Sequence, residues 1–273
     1  MHVTDPRAAP NGADYRAAPN GADYRAAPNG ADYRAAVIGK RLSGIGRVAG
    51  FCSAKGGVGK TMCTTAAGSA LARKGRRVGI LDLDLQGASA HVFLGVAPRL
   101  PSEKEGILPL PAAENLWLMT VAAFTGERAL ALRGPEVSDA LLELLAVTQW
   151  GSLDYLFIDM PPGIGEEVLD LARLVPRLEA IVVSTGSAVS VAVVRRLLSI
   201  LGEMHVAVPG VIANMVRGDA AAVREMARVA GVVFAGEVPF DPEIEDAVGA
   251  PSRLAGSAAA SALLRALETL DIQ

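Results

Sequence analysis

SAKGGVGKTMCTT, from Ser53 to Thr65, decides how the rest of the chain is read. It follows a short apolar run, Val48 to Cys52, with the residues of a strand, and leads into Ala66 to Lys74, with those of a helix. A glycine-rich turn between strand and helix points backbone N–H groups inward, with the positive end of the helix dipole behind them. That is a cradle for phosphate oxygens. Gly56, Gly57 and Gly59 let the backbone approach a ligand, with Val58 and Met62 in the same binding stretch. In the general phosphate-loop pattern Lys60 reaches the β- and γ-phosphates, and the Thr61 hydroxyl sits on a magnesium ion. An incidental glycine-rich turn is the alternative, and the flanking strand and helix argue against it. One detail departs from the general pattern: Ala54 stands where glycine opens the loop, and a second lysine, Lys55, stands inside it.

Outward from the loop, strand and helix signals alternate. Strands are expected at Arg77–Leu81, Leu116–Val121, Asp154–Ile158, Ala180–Ser184, Val206–Ile212 and, briefly, Val232–Phe234. Helices are expected at Thr61–Lys74, Pro135–Thr148, Glu166–Leu174, Val189–Glu203, Asp219–Ala230 and Ala258–Leu270, with a proline-bearing irregular region over Leu83–Asn115. Strands that are apolar throughout, separated by helices, predict an α/β fold: a doubly wound, mostly parallel sheet with helices on both faces. Ligands of such sheets sit at the carboxyl ends of the strands.

Two further stretches fall at such ends. In ILDLDLQGAS, Asp82 and Asp84 stand two apart and share a face if the strand runs on to Asp84; either also reads as a strand-end turn residue. LDYLFIDMPPGIG closes an apolar strand with Asp159, whose carboxylate would hold magnesium through water, and Gly163 follows it.

The chain resembles a known class at these residues. KGGVGKT with the extra lysine is similar to the deviant phosphate loop of the MinD, ParA, Mrp/Nbp35 and nitrogenase iron protein ATPases. ALRGPEVSDALLELLAVTQWGSLDYLFIDMPPGIGEEVLDLA, then GVIANM at Gly210–Met215 and VPFDPEIEDAVGAP at Val238–Pro251, narrow the resemblance to the Mrp/Nbp35 branch from about Lys40 onward. It implies a magnesium-dependent P-loop ATPase that dimerises around ATP, with Lys55 crossing to the partner's nucleotide. Asp84 would orient the attacking water within the magnesium shell, Asp82 would lie closer to that shell, and the Gly163 N–H would lie near the γ-phosphate. Asn214 would read the adenine edge, and Pro239 and Asp241 would line the base pocket; taken alone, Asn214 reads as a strand-end cap. Cluster-carrying members of the branch have a CxxC soon after the Asn-Met pair. Here VRGDAAAVREM follows Met215, which puts iron–sulfur carriage by that route in question.

The remainder bounds the reading. With 273 residues, a net charge of −3 and the two cysteines Cys52 and Cys63 beside the loop, the chain has no electrostatic footprint for nucleic acid and no ligand-spaced thiol pair. Arg7 to Tyr33 repeats RAAPNGADY, with a partial copy from Arg34. Little in that unit can be buried, so residues 1–36 are expected to be a disordered tail and 37–273 the ATPase domain, entered through a short basic linker over Val37–Arg47. A docking arm using Tyr15, Tyr24 and Tyr33 is the other reading of the tail. No signal peptide or membrane span is apparent, and a cytoplasmic protein without membrane attachment is expected. His91, Arg133 and Trp150 read as structural. Against the cluster-carrier resemblance stand two alternatives: a MinD- or ParA-like spatial organiser, and a nucleotide-switched factor that binds a client or scaffold protein.

Overall fold

The computed structural model describes residues 33–85, 87–104, 106–125 and 135–272. In chain order its elements are α1 (Tyr33–Leu42), β1 (Ile45–Cys52), α2 (Lys60–Arg73), β2 (Val78–Asp82), α3 (Ala90–Phe93), β3 (Leu110–Ala113) and β4 (Leu116–Thr120). There follow α4 (Ala122–Thr125), α5 (Pro135–Val147), β5 (Leu153–Asp159), α6 (Glu166–Leu174), β6 (Leu178–Ser184), α7 (Ala188–Glu203) and β7 (Ala207–Val216). The chain ends through α8 (Ala221–Ala230), β8 (Val233–Pro239), α9 (Ile244–Ala247), α10 (Pro251–Leu254) and α11 (Ala258–Thr269).

The strands form one eight-stranded sheet in the order β3-β4-β2-β5-β1-β6-β7-β8. All neighbours are parallel except β3 on β4, so the expected doubly wound α/β sheet is present. The phosphate loop leaves β1, between β5 and β6. The chain then winds to β2 on one side and later to β6 on the other, which leaves a crevice at the carboxyl ends. Two apolar layers hold the sheet. One joins α1, α5, α6, α7 and α8 to one face through Ile38, Leu141, Leu171, Leu197 and Val223; the other seats α2 and α11 on the opposite face through Ala66, Ala70, Leu263 and Leu267. In α7 the buried Val191, Val194, Leu198 and Leu201 fall on one stripe, and the Ser187 hydroxyl accepts from the Ser190 N–H to start the helix. Trp150 is buried against β2: a Cβ on Gly79 would stand 2.7 Å from its ring, so this tryptophan is part of the packing, as expected.

Several boundaries differ from the expectations. The linker expected over Val37–Arg47 is instead most of α1 and the first turn into β1, and α1 begins at Tyr33, inside the span assigned to the tail. The partial fourth repeat runs into VIGKRL, which supplies Ile38 and Leu42 one turn apart for burial, an apolar pair the preceding copies lack. Residues 1–32 and Arg133 lie outside the described residues. The region expected to be irregular holds α3 and the antiparallel edge strand β3; its prolines disguised the strand, because an edge position does not require every N–H. β7 runs on to Val216, so Asn214 lies within a strand, and β8 reaches Pro239. Among the described residues no helix is long and apolar enough to cross a membrane.

Candidate nucleotide site

The loop from Ser53 to Gly59 closes over the start of α2 in a conformation that only part of its sequence can adopt. Gly57 and Gly59 have φ of 77° and 78°, in the left-handed region. A Cβ on Gly59 would stand 2.4 Å from Asn214 Nδ2, whereas one on Gly56 or Gly57 would meet nothing within 4 Å. The backbone at Gly56 and Gly57 therefore borders open space of the kind a phosphate would take, and Gly59 is where β7 meets the loop.

That space is a cavity of about 390 Å³ at the carboxyl ends of the strands. The expected loop residues Gly56 to Met62 line it, together with Asp84, Asn214, Pro239 and Asp241. Asp159 lies beneath the cavity with no exposed surface. Its Oδ1 accepts from Lys60 Nζ at 2.5 Å, and its Oδ2 accepts from the Thr61 hydroxyl at 2.6 Å. Thr64 Oγ1 adds a longer bond of 3.4 Å. The phosphate-loop lysine, the partly buried threonine that follows it and the buried strand-end aspartate are thus one hydrogen-bonded cluster. Burial pushes the Asp159 carboxyl above the usual carboxylate range, and the Lys60 ammonium is the largest influence holding it down.

Asn214 is fully buried and donates from Nδ2 to the Val58 carbonyl at 2.8 Å, while its Oδ1 has no partner. The Ser53 hydroxyl, also on the cavity wall, is likewise buried without a partner. Buried polar atoms without partners are rare, and these two border a polar ligand's space. The open cradle and the unpartnered acceptor fit a nucleotide, and the adjoining Thr61 and Asp159 oxygens fit a hard divalent cation.

Other expected site residues stand elsewhere. Gly163 does not line the cavity, and its N–H, expected near the γ-phosphate, donates to the Ser53 carbonyl at 2.8 Å. Lys55 is half-buried in the loop and does not line the cavity of its own chain. β2 stops at Asp82, so the strand alternation that would set Asp82 and Asp84 on one face does not reach Asp84. Asp84 borders the cavity, with its Oδ1 accepting from the Gly87 N–H at 3.0 Å. Asp82 is fully buried, and protein donors engage both of its oxygens, so it is not a free ligand at the edge of a metal shell. Burial, with Asp159 beside it, pushes its carboxyl up to about 7.

Residues that the sequence reading passed over complete the wall. Met215 and Phe240 stand at its rim, both partly exposed, with the Arg217 guanidinium 3.6 Å from the Phe240 ring centroid. Phe240 lies in the stretch VPFDPEIEDAVGAP, between the expected pocket residues Pro239 and Asp241. An aromatic directly after the strand-closing Pro239 and before Asp241 is the available signal.

Neither cysteine is placed as a thiolate ligand for an iron–sulfur cluster. Cys52 and Cys63 are both buried; burial pushes the Cys52 thiol up to about 12 and raises the Cys63 thiol as well. Among the described residues, no group of three or more His, Cys, Asp and Glu side chains could hold a metal ion.

Comparison with known proteins places this site in a family. A model of the ParA group, described as the NUBPL iron-transfer P-loop NTPase, matches residues 44–271. An iron–sulfur cluster carrier protein of Pseudomonas fragi is 37% identical over 179 residues, covering 64% of this chain and 62% of its own length. One from Saccharolobus solfataricus is 33% identical over 215 residues, 72% of each chain. One from Mycobacterium tuberculosis is 32% identical over 216 residues, of whose length the chain spans 56%. A nucleotide-binding protein of Archaeoglobus fulgidus, solved in complex with ADP, superposes with a TM-score of 0.70 at 26% identity, covering 82% of this chain and 93% of that one. The cell division ATPase MinD of Pyrococcus furiosus, at 22% identity and a TM-score of 0.62 over 83% of this chain and 98% of its own, shares the fold. With its phosphate loop, strand-end aspartates and sheet order in place, the chain belongs to the NUBPL iron-transfer P-loop NTPase family.

Proposed function

We propose that the protein is a magnesium-dependent ATPase that dimerises around two nucleotides and serves as the nucleotide switch of an iron–sulfur maturation step. The observation that carries this reading is the hydrogen-bonded Lys60–Thr61–Asp159 cluster under an open glycine cradle. The cradle N–H groups and Lys60 hold the phosphates, which requires Lys60 to turn from Asp159 toward the nucleotide. The Thr61 hydroxyl, Asp159 and Asp84 would hold magnesium, which would supply charge neutralisation for the phosphate oxygens. Asp84 orients the attacking water. Asn214 Oδ1 accepts from the adenine amino group while Nδ2 keeps its bond to Val58, and Pro239 and Asp241 flank the base. Lys55 of one copy reaches the nucleotide of the other and answers charge that develops on the leaving oxygen.

The cargo is the point at which this chain parts from its relatives' names. A cluster, as substrate, would need thiolates, and the two buried thiols beside the phosphate loop do not offer them. Nucleotide-controlled binding of a client that supplies its own ligands is therefore the form of iron transfer that this chain's residues favour. Phosphate release from ATP, followed with magnesium and then with excess EDTA, tests the enzyme. Sedimentation of Asp84→Ala with and without ATP tests the dimer. Turnover that persists in EDTA, or a monomer in saturating ATP, contradicts the proposal.

A further inference from the structure

Both ends of the segment that carries Asp84 are fastened to a single carboxylate. Asp82 Oδ1 accepts the Asp84 N–H at 3.2 Å, and Asp82 Oδ2 accepts the Ala90 N–H at 3.1 Å. The Thr120 hydroxyl donates to the same Oδ2 at 3.3 Å while accepting from the Ala122 N–H at 3.2 Å. Asp82, Ala90 and Thr120 have no exposed surface. Sheet register explains the convergence: Thr120 and Asp159 are the parallel-strand partners of Asp82, so three strand ends meet at one level. Residues in register on neighbouring strands project to the same face, which brings the Asp82, Thr120 and Asp159 side chains together, away from the cavity lining.

We propose that Asp82 is a positioning residue for hydrolysis: it acts as the clasp that closes the segment from Asp84 to Ala90 and so holds the Asp84 carboxylate at the cavity wall. The proposal rests on the ATPase reading, because Asp82 works only through Asp84. Three donors converge on Asp82, and its side chain is absent from the cavity lining, so it touches neither nucleotide nor water directly. Releasing both ends of the segment lets Asp84 drift. A displacement of about 1 Å in a water-orienting group costs on the order of 100-fold in rate. The phosphate loop is fastened separately, through Asn214 and Gly163, so nucleotide binding is spared.

The test is a double-mutant cycle on the full chain. Turnover, affinity for a fluorescent ATP analogue and amide exchange at Asp84 and Ala90 are measured for wild type, Asp82→Ala, Asp84→Ala and the double variant. The expected result is a turnover loss of roughly 10- to 100-fold in Asp82→Ala, affinity near that of wild type and faster exchange at both amides. The double variant is then no slower than Asp84→Ala alone, because the clasp has nothing left to position. Where Asp82→Ala fails to fold, Asp82→Asn, which keeps the volume and one acceptor oxygen, and Thr120→Val, which removes one donor, show smaller losses in the same direction. Losses that multiply in the double variant, or wild-type turnover in Asp82→Ala, overturn the positioning role alone. A wild-type protein without turnover overturns the ATPase reading and this role with it.

Discussion

Replacing Lys60 by methionine removes a charge from a pair that has almost no access to water. Lys60 Nζ stands 2.5 Å from Asp159 Oδ1, and the two side chains are 6% and 0% exposed. Breaking a buried pair by deleting one member costs about 3–5 kcal/mol, because the other charge is left without compensation. Asp159 has two means of reducing that cost. The Thr61 and Thr64 hydroxyls still donate to it, and burial already drives its carboxyl toward the neutral form. The expected loss for Lys60→Met in nucleotide-free protein is therefore at the lower end, about 3 kcal/mol at pH 8. For a domain of this size that is a fall of roughly 6–12 °C in Tm. The loss shrinks as the pH falls, by up to ~1.4 kcal/mol per unit, because protonation of Asp159 neutralises the orphaned charge. Asp159→Asn removes the same charge from the other side, so Lys60→Met with Asp159→Asn is less destabilised than the sum of the singles by about 2 kcal/mol or more. Urea unfolding at pH 8 and pH 6 reads all four proteins. Additive losses, or a Lys60→Met loss that is small and independent of pH, would refute the placement of this pair in the buried centre of the site.

Other outcomes follow from the same geometry. The Asp82 carboxyl, at about 7 against an ordinary 3.8, binds protons in the folded state that the unfolded chain has released between those values. Stability therefore falls as the pH rises from 4 to 7 and levels off above, by up to ~1.4 kcal/mol per unit, and Asp82→Asn flattens the Tm-against-pH curve over that window. Gly59→Ala forces a left-handed backbone and sets a methyl group 2.4 Å from Asn214 Nδ2, so it should cost about 1–3 kcal/mol in stability and weaken nucleotide binding at least tenfold; unchanged affinity by titration calorimetry would count against the loop's fit to phosphate. Anaerobic incubation with iron and sulfide should leave the protein colourless with or without ATP, with Cys52 and Cys63 resisting alkylation until denaturant is added; a stoichiometric absorbing cluster would refute the account of the thiols.

The sheet and half of the site could be read from residues alone because they rest on local patterns. The strand β5 is an apolar run closed by Asp159, and α6 carries its amphipathic signature from Glu166 to Leu174, so neither depends on a distant contact to be recognised. The phosphate loop was legible because its glycines answer a conformational demand that few other residues meet. What stayed hidden depends on tertiary partners. Nothing local to Asp82 and Asp84 says that the strand ends between them, with one carboxylate turned inward as a clasp and the other left at the cavity. The Gly163 N–H looked free for phosphate, and only the approach of β1's trailing loop assigns it to Ser53. Helix α1 was concealed by the repeat that leads into it, and its stability comes from burying Ile38 and Leu42 against the first apolar layer rather than from its own propensity.

The central claim is that this chain hydrolyses ATP with a lysine supplied across a dimer. Steady-state phosphate release by Lys55→Ala, with ATP affinity measured on the same preparation, tests it most directly. The account predicts turnover reduced to background with affinity close to that of wild type, because Lys55 does not line its own chain's cavity. Full turnover in Lys55→Ala would contradict it.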